Sequence, residues 1–148
     1  MAKFQYKLQN ILDIKEKMEN QEKIAFSLAA KKLAEEQDIL KDLMIQKAGY
    51  DRQARKLVEG KIDVLEINTC RKAVETMKTR IRGQMFHVHK AEKQLELVRQ
   101  RLNEVMVERK TYEKLREKSF EAFQAELAQE ESKEIDELVS YTYHENEN

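Results

Sequence analysis

The chain has 148 residues, 38% of them charged, only 7% aromatic, with no Trp, no Pro and a net charge of zero. That composition excludes a thick globular core and favours long helices joined along a narrow apolar seam. Disorder is excluded as well, because apolar residues still make up 41% of the chain and fall at helical spacing.

The first apolar pattern opens at Phe4 and runs through Ile11, Ile14, Met18, Ala25 and Leu28. Steps of three, four and seven are those of an a/d heptad. The phase slips by about one residue near Leu33 and resumes through Leu40, Leu43, Tyr50, Ala54 and Leu57. Pairs such as Asp13 with Lys17, Glu19 with Lys23 and Asp51 with Arg55 stand at i,i+4 in the favourable order. These features predict one helix over about 3–58, ~80 Å long at 1.5 Å per residue.

Gly60 ends that pattern, and a turn is predicted over about 59–62. Asp63 and Glu66 have the spacing of a capping box, with Asp63 as N-cap. A second pattern follows through Leu65, Ala73, Met77, Ile81, Gln84, Val88, Ala91, Leu95, Val98, Leu102, Val105, Tyr112 and Leu115. It loosens to Phe120, Phe123 and Leu127, with Ile135, Leu138 and Val139 adding a last turn. The return helix is therefore expected over about 63–139, and the single hairpin over 1–142. Residues 143–148 carry no pattern and are expected to form a disordered tail.

The fold class expected is all-α, a long antiparallel two-helix coiled coil. Its return arm exceeds the first by some 20 residues. Gly83 is the candidate point for a kink, or for a short extra helix over 62–82 that absorbs the excess.

Charge is uneven along this layout. From Glu117 onward ten acidic residues face two basic ones, and the stretch from Arg71 to Arg101 has nine basic against three acidic. Carboxylates interrupt that basic stretch, unlike the dense block of basic-zipper proteins, so nucleic acid is not an expected partner. The three glycines are too far apart for a phosphate loop. His87 and His89 lie two residues apart, about 200° around a helix, and cannot chelate one ion. Cys70 is the only cysteine and has no internal disulfide partner. No enzyme activity, cofactor or metal is expected. Phe26, Phe86 and, in part, Tyr50 fall off the seam in this register; either the seam widens to cover them, or they are exposed rings on a charged helix, which suit partner contacts. There is neither an apolar h-region at the start nor a run approaching the ~20 apolar residues of a membrane span, so the cytoplasm is the expected location.

The opening Phe4-Gln5-Tyr6-Lys7-Leu8-Gln9-Asn10-Ile11-Leu12, followed by a Lys/Glu block, resembles the start of FliJ-family proteins. Lys133-Glu134-Ile135-Asp136-Glu137-Leu138 is similar to their C-terminal acidic-apolar turn, and Val88-His89-Lys90-Ala91-Glu92 to the start of their return helix. The resemblance implies a non-catalytic component of the flagellar type III export apparatus, similar to the central stalk of rotary ATPases. Implied partners are the hexameric export ATPase FliI, the export-gate membrane protein FlhA and export chaperones. The location implied is the cytoplasmic face of the membrane at the flagellar base. The implied ATPase-facing residues are the paired termini: Phe4, Leu8, Ile11 and Ile14 with Phe123, Leu127, Ile135 and Leu138. The implied gate-facing patch is Leu43, Tyr50, Ala73, Met77, Arg80 and Gln84, with Phe86 compensating where Ala73 and Arg80 replace the family's bulkier side chains. Two rival readings stand beside it: a stalk protein of a virulence-type injectisome, which shares the architecture, and a protein of a different class, a structural coiled-coil homodimer or holdase chaperone.

Overall fold

The computed structural model describes residues 2–147, the side chain of Glu147 excepted. Two helices account for nearly all of it, α1 over Gln9–Leu57 and α2 over Val64–Glu147. They form an antiparallel helical hairpin. The packing falls into two units. Unit 1 joins the chain up to Asn20 with the chain from Glu104 onward, and unit 2 is Gln21–Asn103.

The turn follows from local chemistry. The Glu59 amide donates to the Lys56 carbonyl at 3.1 Å, closing the last turn of α1. Gly60 then takes φ +90°, a left-handed conformation that costs a side-chain-bearing residue roughly 1–2 kcal/mol. Asp63 starts α2 as the spacing predicts: its Oδ1 accepts the Leu65 amide at 3.0 Å, and its carbonyl accepts the Ile67 amide at 3.1 Å. An N-cap of this kind stabilises a helix by about 1 kcal/mol.

Along α2 one residue in seven is buried: Cys70, Met77, Gln84, Ala91, Val98 and Val105. The residues four further on, from Val74 through Ile81, Val88, Leu95 and Leu102 to Arg109, are half-buried. This is one heptad without interruption. On α1 the protected positions alternate by four and three from Leu8 through Leu12, Lys15, Glu19, Glu22, Phe26, Ala29 and Leu33 to Leu57. The phase slip expected near Leu33 is absent. In its place the first half of α1 carries polar residues in the seam, and its most apolar stripe lies one position, about 100°, away.

Three expected boundaries change. Helix α1 begins at Gln9 rather than residue 3, because the preceding segment is tied down by its side chains. The Tyr6 hydroxyl donates to the Tyr112 carbonyl at 3.0 Å, and Phe4 packs on Phe120 and Phe123 with centroids 5.1 and 5.6 Å away. Helix α2 stays helical across Gly83, with no break and no separate element over 62–82. A Cβ built on Gly83 meets nothing within 4 Å. A glycine there costs only about 1 kcal/mol, too little to break a helix whose next residue, Gln84, is anchored in the seam. The helix also continues through 143–147, which the sequence pattern assigns to a tail; residue 148 lies outside the described residues. The surplus length of the return arm is thus the end of α2 itself, where every described side chain from 124 to 146 is exposed.

Candidate partner-binding surfaces

In unit 1 the seam is closed by polar groups. Lys15 pairs with Glu108 at 2.6 Å, and its ammonium is held above its ordinary pKa, chiefly by that hydrogen bond. Glu19, only 5% exposed, pairs with Arg109, which also reaches Glu113 at 2.8 Å. Those two carboxylates, Glu113 foremost, favour the charged guanidinium further. Arg116 Nε donates to Gln9 Oε1 at 3.0 Å and covers the Phe4 ring at 5.9 Å. Among the apolar residues of this part of α1, Leu12 is the buried one, at 3% exposure.

The residues expected at the paired termini are therefore distributed unevenly. Phe4 and Phe123 do meet, with Phe120, in one aromatic cluster. Leu8 and Ile11 are half-buried, and Ile14 is 55% exposed. Leu127, Ile135 and Leu138 lie on the part of α2 where no described side chain is covered, so they do not pair with α1. Their apolar surface, with Val139 and Tyr143, faces water.

Unit 2 has a mostly apolar seam, interrupted on α1 by Glu22, Glu36 and Lys47. The Gln84 amide donates to the Glu36 carbonyl at 2.8 Å and also to the Glu36 carboxylate. Lys32, at 3.0 Å, together with Gln84 holds the Glu36 carboxyl below its ordinary pKa. Cys70 is buried, its Sγ donating to the Tyr50 carbonyl at 3.3 Å. Phe26 sits in the seam, half-buried under the Arg99 guanidinium at 6.0 Å, and so differs from the off-seam position that the sequence register predicts.

Of the residues expected to form the gate-facing patch, Met77 and Gln84 are inside the seam, and Leu43, Tyr50 and Ala73 are half-buried. Arg80 and Phe86 are exposed. These seven do not make one open apolar patch, because the heptad that places them at regular spacing also turns most of them toward the partner helix. The polar pair Glu19 and Arg109 is the feature that local reading misses. Counting back by sevens from Leu40 through Leu33 and Phe26 reaches Glu19 and Leu12 and would have found it.

Among the described residues no group of His, Cys, Asp and Glu is arranged to hold a metal ion. No helix there is long and apolar enough to cross a membrane. A family model described as flagellar FliJ protein matches residues 4–148. The chain belongs to the FliJ family. It is thereby a flagellar export-related protein, of a family that is a non-catalytic component of that machinery. No curated protein and no solved structure matches it. For a FliJ-family chain the site to look for is a surface that meets other proteins, and the exposed apolar residues of unit 1 and unit 2 are the candidates.

Proposed function

We propose that this FliJ-family chain is a stalk-like accessory of the hexameric flagellar export ATPase FliI, working at the cytoplasmic face of the flagellar base. Unit 1 is the ATPase-facing part. It promotes ring assembly and hydrolysis, while the hairpin's other unit links the ring to the export gate FlhA and to export chaperones. The observation that carries this reading is the polar closure of the unit 1 seam. Because Lys15, Glu19 and Arg109 fill seam positions, Ile14 remains 55% exposed, while Ile135 and Leu138, on the uncovered end of α2, are 59% and 65% exposed. Exposed apolar side chains on a highly charged helix are costly to leave in water and are suited to burial against a partner. A single asymmetric hairpin facing six identical subunits contacts each differently, which favours sequential rather than simultaneous turnover.

The test is ATP hydrolysis by FliI from the same organism, with and without this protein. Ile14→Asp and Leu138→Asp, at exposed positions that leave helicity unchanged by circular dichroism, are expected to abolish most of the stimulation. Stimulation that survives both substitutions would move the ATPase contact elsewhere. The gate contact rests on Phe86, 66% exposed: Phe86→Ser is expected to weaken capture by the cytoplasmic part of FlhA without changing ATPase stimulation.

A further inference from the structure

Unit 2 carries an open groove that none of the proposed contacts uses. Its volume is about 420 Å³, its apolar lining comes from Met44, Ala48 and Ile81, and Lys47, Lys78 and Arg82 stand at its rim with one carboxylate, Asp51. Two of those cations are already satisfied, Lys47 by Asp51 at 2.8 Å and Lys78 by Glu75 at 3.3 Å. Among the described residues Arg82 has the Thr79 hydroxyl alone, at 3.4 Å. It lies in the basic stretch from Arg71 to Arg101, with nine cations against three carboxylates. Met85, next along the same helix, is 51% exposed. An occupant must therefore be apolar on one side and acidic beside it.

The end of α2 has that chemistry. Ile135, Leu138, Val139 and Tyr143 follow i, i+3, i+4, i+8 spacing and are all at least 59% exposed. Residues 124–146 hold seven acidic side chains (Glu126, Glu130, Glu131, Glu134, Asp136, Glu137, Glu145) against Lys133 alone, a balance of −6. We infer that the acidic helix end of a second copy of this chain docks in the unit 2 groove. Its apolar stripe covers Met44 and Ile81, and its carboxylates face Arg82. Each copy offers one groove and one helix end, so the contact forms a reciprocal dimer or a chain of copies. A helix laid into an apolar groove with a charged rim is a common mode of recognition, and the rim charges set its specificity. The inference does not depend on the ATPase reading, although docking covers Leu138 and so competes with any other partner of that helix end.

Sedimentation equilibrium of the full-length protein tests it, together with binding of a synthetic peptide of residues 124–147. Concentration-dependent self-association is expected, as is peptide binding that weakens when salt is raised to about 0.5 M. Arg82→Glu should weaken both by on the order of tenfold. A peptide with Glu130, Glu134 and Glu137 changed to Lys should fail to bind the natural groove, and should recover binding to Arg82→Glu. A protein that is monomeric at all concentrations and does not bind the peptide overturns the inference. So does self-association that persists unchanged in Arg82→Glu and in Leu138→Asp. Arg82→Glu retains ATPase stimulation, so failure here and failure of the ATPase reading are separate results.

Discussion

The two units use one heptad and fill it in opposite ways. In unit 2 the α1 positions facing α2 are mainly apolar, from Phe26, Ala29 and Leu33 to Leu57, against Met77, Ile81, Val88, Ala91 and Val98. In unit 1 the same positions hold Lys15, paired with Glu108, and Glu19, paired with Arg109, while Ile14 and Met18 are turned outward. A continuous helix presents a single phase, so the longer apolar run decides which side of α1 faces α2 and the shorter run must follow. The shorter run then has to close its seam with charges. What it loses in buried apolar area, roughly 1.5–3 kcal/mol per large side chain, it gains as apolar surface free for other proteins.

The largest expected contrast between the units comes from their centres. Val98→Asp, at a site 2% exposed, strands a carboxylate in an apolar seam and should destabilise the hairpin by about 3 kcal/mol or more in urea unfolding. Leu12→Ala in unit 1 should cost about 2–3 kcal/mol, the lower part of the range for leucine truncation, since its surroundings are partly polar. Equal losses at the two sites would erase the distinction drawn between the seams.

Replacement of the unit 1 ion pair sharpens the comparison. Glu19→Met alone leaves the Arg109 guanidinium with Glu113 only and should lower Tm. The double variant Glu19→Met, Arg109→Leu should recover the wild-type Tm or exceed it, because apolar substitutes for a desolvated ion pair are often neutral or stabilising. A double variant less stable than either single variant would show that the charges, rather than the phase of α1, hold unit 1 together.

Acid and alkali should act on different units. In unit 2 the carboxyls of Glu36 and Asp51 are held below their ordinary values of 4.5 and 3.8, Glu36 by Lys32 and then Gln84, Asp51 by Lys47. A depressed carboxyl stabilises the fold above its unfolded value and loses that contribution as pH falls through the folded one. Glu36→Gln should therefore flatten the part of the stability profile below about pH 4.5. In unit 1 the Lys15 ammonium is raised above 10.5 by Glu108. Its contribution is complete below that value and disappears as pH rises through the higher folded one. Amide exchange followed along each helix would show which unit loosens first at either limit. Both effects are small, since the partners Lys32 and Glu108 keep half or more of their side chains in water.

The smallest effects are at the glycines, and they differ in sign. Gly83→Ala should stabilise by up to about 1 kcal/mol, because its Cβ enters open space on a regular helix. Gly60→Ala should destabilise by about 1 kcal/mol, because its φ of +90° is strained for any residue with a Cβ. Thermal melts distinguish the two.

Much of this fold is legible in the residues taken a few at a time. The break at Gly60, the Asp63 cap and the sevenfold recurrence along α2 all come from local chemistry or a single period. The facing of residues 9–28 does not. Ile11, Ile14, Met18 and Leu28 make a better apolar stripe than Leu12, Lys15, Glu19 and Glu22, and a local reading prefers them. It cannot weigh a stripe against a run that begins at Leu33 and is coupled to it only through the stiffness of the helix. The start of α1 was equally hidden, since Tyr6 and Phe4 are held by Tyr112 and Phe120, more than a hundred residues away. The exposed helix end is the converse case. Ile135 and Leu138 have correct helical spacing, but spacing does not say whether a helix lies opposite.

The Glu36–Gln84 layer has a mechanical consequence. If one helix slid along the other by a heptad, the Gln84 amide would stand beside Ala29 or Leu43, and neither offers its side chain an acceptor. A side-chain pair that forms in one alignment only acts as a detent, as a buried asparagine does in fixing the alignment of two-stranded coils. The apolar layers on either side tolerate such a slip far better, being similar from one heptad to the next. Within unit 2, alignment of the two helices is thus fixed at this layer, and a push on one helix is passed to the other there without slippage.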